Sequence, residues 1–230
     1  MEEASRAAAE GADLVVFPES FLHGYRRSFD PFRARACFCN VSAEHPETLF
    51  VFGSISEERK NRMTVWTQGK EIARYDKIHL FAPNGEYDLW DPGSNYAAVS
   101  IKGITYGLIN CNDLRFPEQA RQLKLQHRCR VFLVPAWWPW RRDHIWRTLL
   151  QARAIENGAW VLGCCVSASE IPEERFAGAG NHVFNPLGVP FYPQGDDSTY
   201  DLDFTEELTL PVDPVAGYVP VEEVQLFQGP

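Results

Sequence analysis

Residues 106–118 read Y-G-L-I-N-C-N-D-L-R-F-P-E, and the stretch changes character halfway. With Ile104 and Thr105 ahead of it, the first half is apolar and rich in β-formers, short enough for a buried strand. The second half carries helix-start chemistry: Asp113 as a cap, Pro117 near the first helical position and Glu118 in the first turn, leading into a helix over 119–126. Cys111 falls at the junction. Backbone N–H groups point outward where a strand turns into a helix, and a helix N-terminus favours a thiolate. A lone cysteine is more often a small hydrophobic filler, so its assignment as a nucleophile depends on partners elsewhere.

Working outward, the alternation of short apolar runs with helical patterns predicts an α/β fold with mixed sheets and one domain over residues 1–230. An Ala- and Glu-rich helix over 1–10 stops at Gly11. Strand 13–17 follows, ended by Pro18-Glu19-Ser20. Residues 23–47, with Arg26 and Arg27 near their start, read as a long loop-rich insertion. Strands are predicted over 49–54, 63–68 and 71–75, the last two a hairpin about Gly69-Lys70. Lys77 comes next, between a strand and the apolar Ile78, Leu80 and Phe81, which predicts a partly buried ammonium seeking anions. Residues 84–93 form a loop with three acids, Glu86 among them. Hairpin 97–101/104–110 leads to Cys111. Strand 131–134 opens into the aromatic loop P-A-W-W-P-W-R-R (135–142), and Asp143 is expected to cap a helix ending at Gly158. Strands over 159–166, 181–185, 188–192 and 206–212 complete the pattern.

Composition narrows the function. A net charge of −9 provides no basic stripe to neutralise phosphates, so nucleic acid is an unsuitable partner. No run approaches the length of a membrane span and no signal peptide is evident. The six cysteines show no C-x-x-C spacing, which favours a reduced, cytoplasmic protein without a zinc site.

Glu19, Lys77 and Cys111 thus each follow a predicted strand, and strand ends of an α/β sheet converge on one crevice. A carboxylate beside a thiol can accept its proton, and an ammonium stabilises the thiolate. With the backbone N–H of Asn112, the same ammonium can hold the oxyanion of a tetrahedral intermediate.

F-P-E-S at 17–20, Y-D-K-I-H-L-F at 75–81, C-N-D-L-R-F-P-E at 111–118, A-R-A-I-E-N at 152–157 and N-P-L-G at 185–188 occur in this order. Together they resemble the nitrilase, or carbon–nitrogen hydrolase, superfamily over most of the chain. The resemblance implies an α-β-β-α sandwich, a homodimer or higher homo-oligomer, and a Glu-Lys-Cys triad falling on Glu19, Lys77 and Cys111. A second glutamate often assists, and Glu86 in G-E is its match. Substrate contacts are expected from Asn112, Arg115, Trp137 and Trp138. Two departures stand out. The family normally opens with a strand before the first helix, whereas this sequence opens within that helix, so the expectation is either a sheet lacking its first strand or a start displaced from the natural one. Gly180-Asn181-His182 also puts histidine where serine is common.

The expected activity is thiol-dependent hydrolysis of a small carboxylate-bearing amide, with no metal or organic cofactor. C-x-D-L-R-F-P-E and residues 144–157 are most similar to the ω-amidase-like branch. An N-carbamoyl amino acid hydrolase is the alternative, because C-N-D is typical of that branch, although its usual second arginine is Leu114 here. A Cys–His hydrolase finds no supporting block around the six histidines. A non-catalytic binding descendant remains the rival from another class, and rapid alkylation of Cys111 relative to the other cysteines is expected to exclude it.

Overall fold

The computed structural model describes residues 1–25, 29–167, 180–194, 199–205 and 213–220. Along them run α1 (Glu2–Ala9), β1 (Leu14–Phe17), α2 (Pro31–Glu44), β2 (Leu49–Glu57), β3 (Lys60–Thr67), β4 (Lys70–Asp76), the single turn α3 (Glu86–Leu89), β5 (Ala97–Ile101), β6 (Ile104–Leu108), α4 (Pro117–His127), β7 (Val131–Ala136), α5 (Asp143–Asn157), β8 (Trp160–Cys165), β9 (His182–Phe184) and β10 (Pro190–Phe191). They build a four-stranded sheet, β1-β2-β3-β4, and a six-stranded sheet, β10-β9-β8-β7-β6-β5. β1 and β2 pair in parallel, as do β6, β7 and β8; the remaining pairs are antiparallel. The two-residue hairpin turns Glu58-Arg59, Gln68-Gly69 and Lys102-Gly103 place both residues at positive φ, the twist that suits adjoining strands. The middle turn sits one residue earlier than its sequence suggests.

Period-two alternation sorts side chains into layers. Leu49, Val51, Met63 and Val65 of one sheet face Leu108, Val131, Leu133 and Val183 of the other. Their neighbours Phe50, Phe52 and Trp66 face outward onto Ala4, Ala34, Phe38 and Val41 of α1 and α2. On the opposite outside, Phe132, Val134 and Val161 meet Leu123 of α4 and Trp146, Leu150 and Ala154 of α5. The result is the expected α-β-β-α sandwich.

Residues 31–44 correct the sequence reading, because they form helix α2 rather than a loop-rich insertion. The Asp30 carboxylate accepts from the N–H groups of Phe32 and Arg33 at 3.0 and 3.2 Å, and Pro31 occupies the first turn. Interspersed arginines and cysteines mask the helical period, yet Ala34, Phe38 and Val41 still fall on one buried face. The Phe38 and Phe52 rings stack with centroids 3.7 Å apart. Asp143 is a second correction: it opens α5 without making a capping hydrogen bond, and its carboxylate instead pairs with His182 Nε2 at 2.9 Å. Gly158 ends α5 in the left-handed region, as expected. Arg26, Arg27 and the strand expected over 206–212 lie outside the described residues. Among the described residues no helix is long and apolar enough to cross a membrane. All six cysteines are free.

Candidate active site

The four-stranded sheet delivers two charges. Where β1 ends, Pro18-Glu19-Ser20 folds tightly over β2: a Cβ on Gly53 would lie 1.9 Å from the Phe17 carbonyl oxygen, so only glycine admits the turn. Ser20, at φ 52°, donates its N–H to Ser54 Oγ at 2.9 Å. Glu19 is thereby aimed inward. At the end of β4, the N–H of Lys77 donates to the Asn61 carbonyl at 3.0 Å, and the side chain is fully buried rather than partly so. Glu86, which opens α3, is buried beside it.

The six-stranded sheet delivers the thiol. Past β6, residues Cys111–Arg115 form a 3-10 turn, and Cys111 itself sits at φ 50°, a costly conformation for a non-glycine residue. Asp113 holds this elbow and does not cap α4, which corrects the sequence expectation. Its carboxylate accepts from the Asn110 N–H at 3.1 Å, the Tyr75 hydroxyl at 2.7 Å and the His79 N–H at 2.8 Å. α4 begins only at Pro117, so its N-terminus is not at the sulfur. From behind, Arg153 of α5 donates to the Leu114 carbonyl at 2.7 Å, which gives the A-R-A-I-E-N block a positioning role.

These elements bring the four expected catalytic residues, Glu19, Lys77, Glu86 and Cys111, into one cluster. Lys77 Nζ lies 2.7 Å from Glu19 Oε1 and 2.9 Å from Glu86. Glu19 accepts three further hydrogen bonds, from Asn61 Nδ2 at 2.8 Å, the Tyr25 hydroxyl at 2.7 Å and the Trp137 N–H at 3.1 Å, and the Cys111 thiol lies within its reach. The thiol also lies 3.8 Å from the Trp137 carbonyl. Glu86 accepts from the Phe81 N–H at 2.9 Å.

Proton affinities follow from these neighbours. Burial alone would raise the Glu19 pKa, but the Lys77 charge and the Lys77, Tyr25 and Cys111 hydrogen bonds reverse this and hold it below the ordinary carboxylate value. Burial would lower Lys77, yet Glu19, Cys111 and Glu86 push it up. Burial raises Glu86 against the pull of Lys77. For Cys111, burial and the Glu19 charge raise the thiol well above its usual value despite Lys77. The resting cluster is therefore carboxylate, ammonium and neutral thiol. The thiolate favoured by the sequence argument is not the resting form, because a third anion among Glu19 and Glu86 would be poorly compensated.

Above the sulfur a small cleft is lined by Phe81, Cys111, Asn112, Arg115, Trp137, Trp138, Pro139 and Arg142. The four residues expected to contact substrate, Asn112, Arg115, Trp137 and Trp138, thus all line it. The Asn112 side chain donates to the His79 carbonyl at 3.0 Å, and the Arg115 guanidinium lies 4.6 Å over the Trp138 ring. His182, bonded to Asp143, lies outside this lining.

A family model described as carbon-nitrogen hydrolase matches residues 1–180. The chain belongs to the carbon–nitrogen hydrolase family. Members of this family cleave carbon–nitrogen bonds other than peptide bonds. The chain is similar to the 2-oxoglutaramate amidase of Paenarthrobacter nicotinovorans, with 34% identity over 176 residues covering 66% of this chain and 59% of that protein. It is similar to the omega-amidase YafV of Escherichia coli K12, at 30% identity over 193 residues, 77% of this chain and 71% of that one. Among solved structures, XC1258 from Xanthomonas campestris, a CN-hydrolase superfamily protein with an arsenic adduct in its active site, has a TM-score of 0.70 at 26% identity and covers 82% of this chain and 77% of that one.

Sequence reasoning missed Tyr25, Asn61 and Arg142. Tyr25 and Asn61 reach Glu19 from a turn and from β3, where no motif marks them. Arg142 lay inside the aromatic loop already singled out; its signal was a guanidinium beside aromatics just ahead of a helix start.

Proposed function

We propose that the chain is a thiol-dependent amidase that converts a small carboxylate-bearing amide into the acid and ammonia through a Cys111 thioester. The observation that carries this reading is the buried carboxylate–ammonium–thiol array, with Lys77 Nζ 2.7 Å from Glu19, opening on one small cleft. The relatives named 2-oxoglutaramate amidase and omega-amidase support amides as the substrate class.

In the first half-reaction the thiol proton passes to Glu19 as sulfur bonds the carbonyl carbon. The resting neutral thiol suits this coupled transfer, since the ionised carboxylate beside it is the acceptor. The carbonyl electrons move to oxygen, held by the Lys77 ammonium and the Asn112 N–H. Lys77 spends two N–H groups on Glu19 and Glu86 and has a third with no partner among the described residues. Collapse breaks the carbon–nitrogen bond, Glu19 returns the proton to nitrogen, and ammonia leaves a thioester. Water then gives a proton to Glu19 and adds to the thioester carbon. Collapse expels sulfur, which takes the proton back. Glu86 holds Lys77 in place and anchors the Phe81 backbone. Leu114 is buried in the core against α4 and α5, so this position supplies no cation for a carbamoyl acid.

The test is ammonia release across short primary amides, carbamoyl amino acids and nitriles. Cys111→Ala should abolish turnover with the fold intact, because little volume is lost, and Cys111→Ser should be nearly dead because Glu19 cannot readily ionise an alcohol. Parent-like activity in Cys111→Ala would sink the reading.

A further inference from the structure

Arg115 and Arg142 approach the cleft from two separate elements, the Cys111–Arg115 turn and the short 3-10 turn Trp140–Arg142 ahead of α5. Each guanidinium lies over an aromatic ring, Arg115 at 4.6 Å from the Trp138 centroid and Arg142 at 5.3 Å from that of Phe81. Trp138 is itself fixed by its Nε1–H, which donates to the Arg142 carbonyl at 3.0 Å. Aromatic faces orient a guanidinium but leave its charge intact. Among the described residues no carboxylate pairs with either arginine, whereas the buried Arg62 and Arg153 hold Asp76, Glu57 and Glu156. The two charges oppose one another as well: burial and the neighbouring Arg142 together lower the Arg115 pKa.

We propose that Arg115 and Arg142 form a two-arginine clamp for a carboxylate at the substrate end remote from the scissile amide, and that Arg142 is the residue that selects for it. The inference rests on the amidase reading and assigns the two side chains that hold the carboxylate of that substrate. Guanidinium forks match a carboxylate bidentately. One anion between them removes their mutual repulsion and neutralises a mouth that the Glu19–Lys77–Glu86 cluster does not reach. With Arg115 only four residues past Cys111 on the same turn, the carboxylate is confined to a few carbons from the reacting carbonyl.

The experiment compares kcat/KM for the monoamide of butanedioic acid with that for butanamide, in the parent, Arg142→Met and Arg142→Lys. Arg142→Met keeps an apolar stem over Phe81 but loses the fork, so the ratio of acid amide to neutral amide should fall about ten- to hundredfold, mainly through KM. Lysine should restore part of it, since it returns charge without the planar fork. A ratio within about twofold of the parent in Arg142→Met overturns the clamp. A general folding defect lowers both substrates together and leaves the ratio readable. Butanedioate should also stabilise the parent against heat more than it stabilises Arg142→Met. If the parent hydrolyses neither amide, the amidase reading fails, and this heat comparison alone decides the clamp: equal or absent stabilisation overturns it.

Discussion

Beneath Cys111, Glu19, Lys77 and Glu86 are fully buried and pair with one another at 2.7–2.9 Å, whereas above it Arg115 and Arg142 are half-exposed and share the cleft without a carboxylate among the described residues. The lower region is closed. Its charges are compensated within the protein, and two sheets plus the β1 and β4 strand ends fix them before any ligand arrives. The upper region is open, and its charge is completed only from outside. Burying ions costs several kcal/mol each unless partners offset it, which is why the chemistry sits where the scaffold supplies those partners and recognition sits where it does not. Changes below should therefore strike kcat and stability together, and changes above should strike KM.

The largest effect that separates the two regions is expected at Lys77. Lys77→Met strands two carboxylates in the interior, so unfolding in urea should show a loss of about 3–5 kcal/mol, a large share of the roughly 5–15 kcal/mol of a typical domain. The folded fraction should also lose about a hundred- to a thousandfold in kcat, as when an oxyanion donor is removed. Lys77→Arg keeps the charge but its planar fork does not fit a point contact with two carboxylates, so it should not rescue. Parent-like stability and kcat in both variants would mean that the lower region is not built as described.

A smaller effect reads the electrostatics directly. Glu19 acts as base only when ionised, and its pKa lies below the ordinary 4.5, so activity should fall on the acid side only beneath that value. Cys111 must carry its proton at the outset, and its pKa lies above the ordinary 9.0, so the alkaline loss should come only beyond that value. kcat/KM should be flat between. Tyr25→Phe removes one donor from ionised Glu19, which raises its pKa and moves the acid limb to higher pH. One hydrogen bond to a charged group is worth about 1.5–3 kcal/mol, so the limb should shift by one to two pH units at most. An unmoved limb, or a parent limb near neutrality, contradicts this account.

The lower region was largely legible in the sequence because each triad residue lies two positions past an apolar or aromatic residue near the end of a strand: Phe17 before Glu19, Tyr75 before Lys77, Ile109 before Cys111. The protonation state was not legible, since it depends on Glu86 and Glu19 crowding the sulfur in space. Nor was the function of Asp113. Its position suggested a helix cap, but the carboxylate is occupied by Tyr75 and His79, which approach from β4 and the loop after it. Helix α2 escaped notice because Arg33, Arg35, Cys37 and Cys39 break its apolar period, although Asp30-Pro31 is a start signal. Arg142 became a candidate only once the fold brought it to the same cleft as Arg115, a juxtaposition across 27 positions of chain that no spacing rule encodes.

The central claim is that the acyl group passes through Cys111, and a single-turnover experiment with enzyme in excess tests it most directly. The enzyme is mixed with an amide it hydrolyses, quenched in acid over a series of early times, digested, and the peptide carrying Cys111 is weighed. The account predicts a transient mass gain on that peptide equal to the acyl group, rising as ammonia is released and decaying as the free acid appears. Ammonia and acid appearing together, with the Cys111 peptide never changing mass, would contradict it.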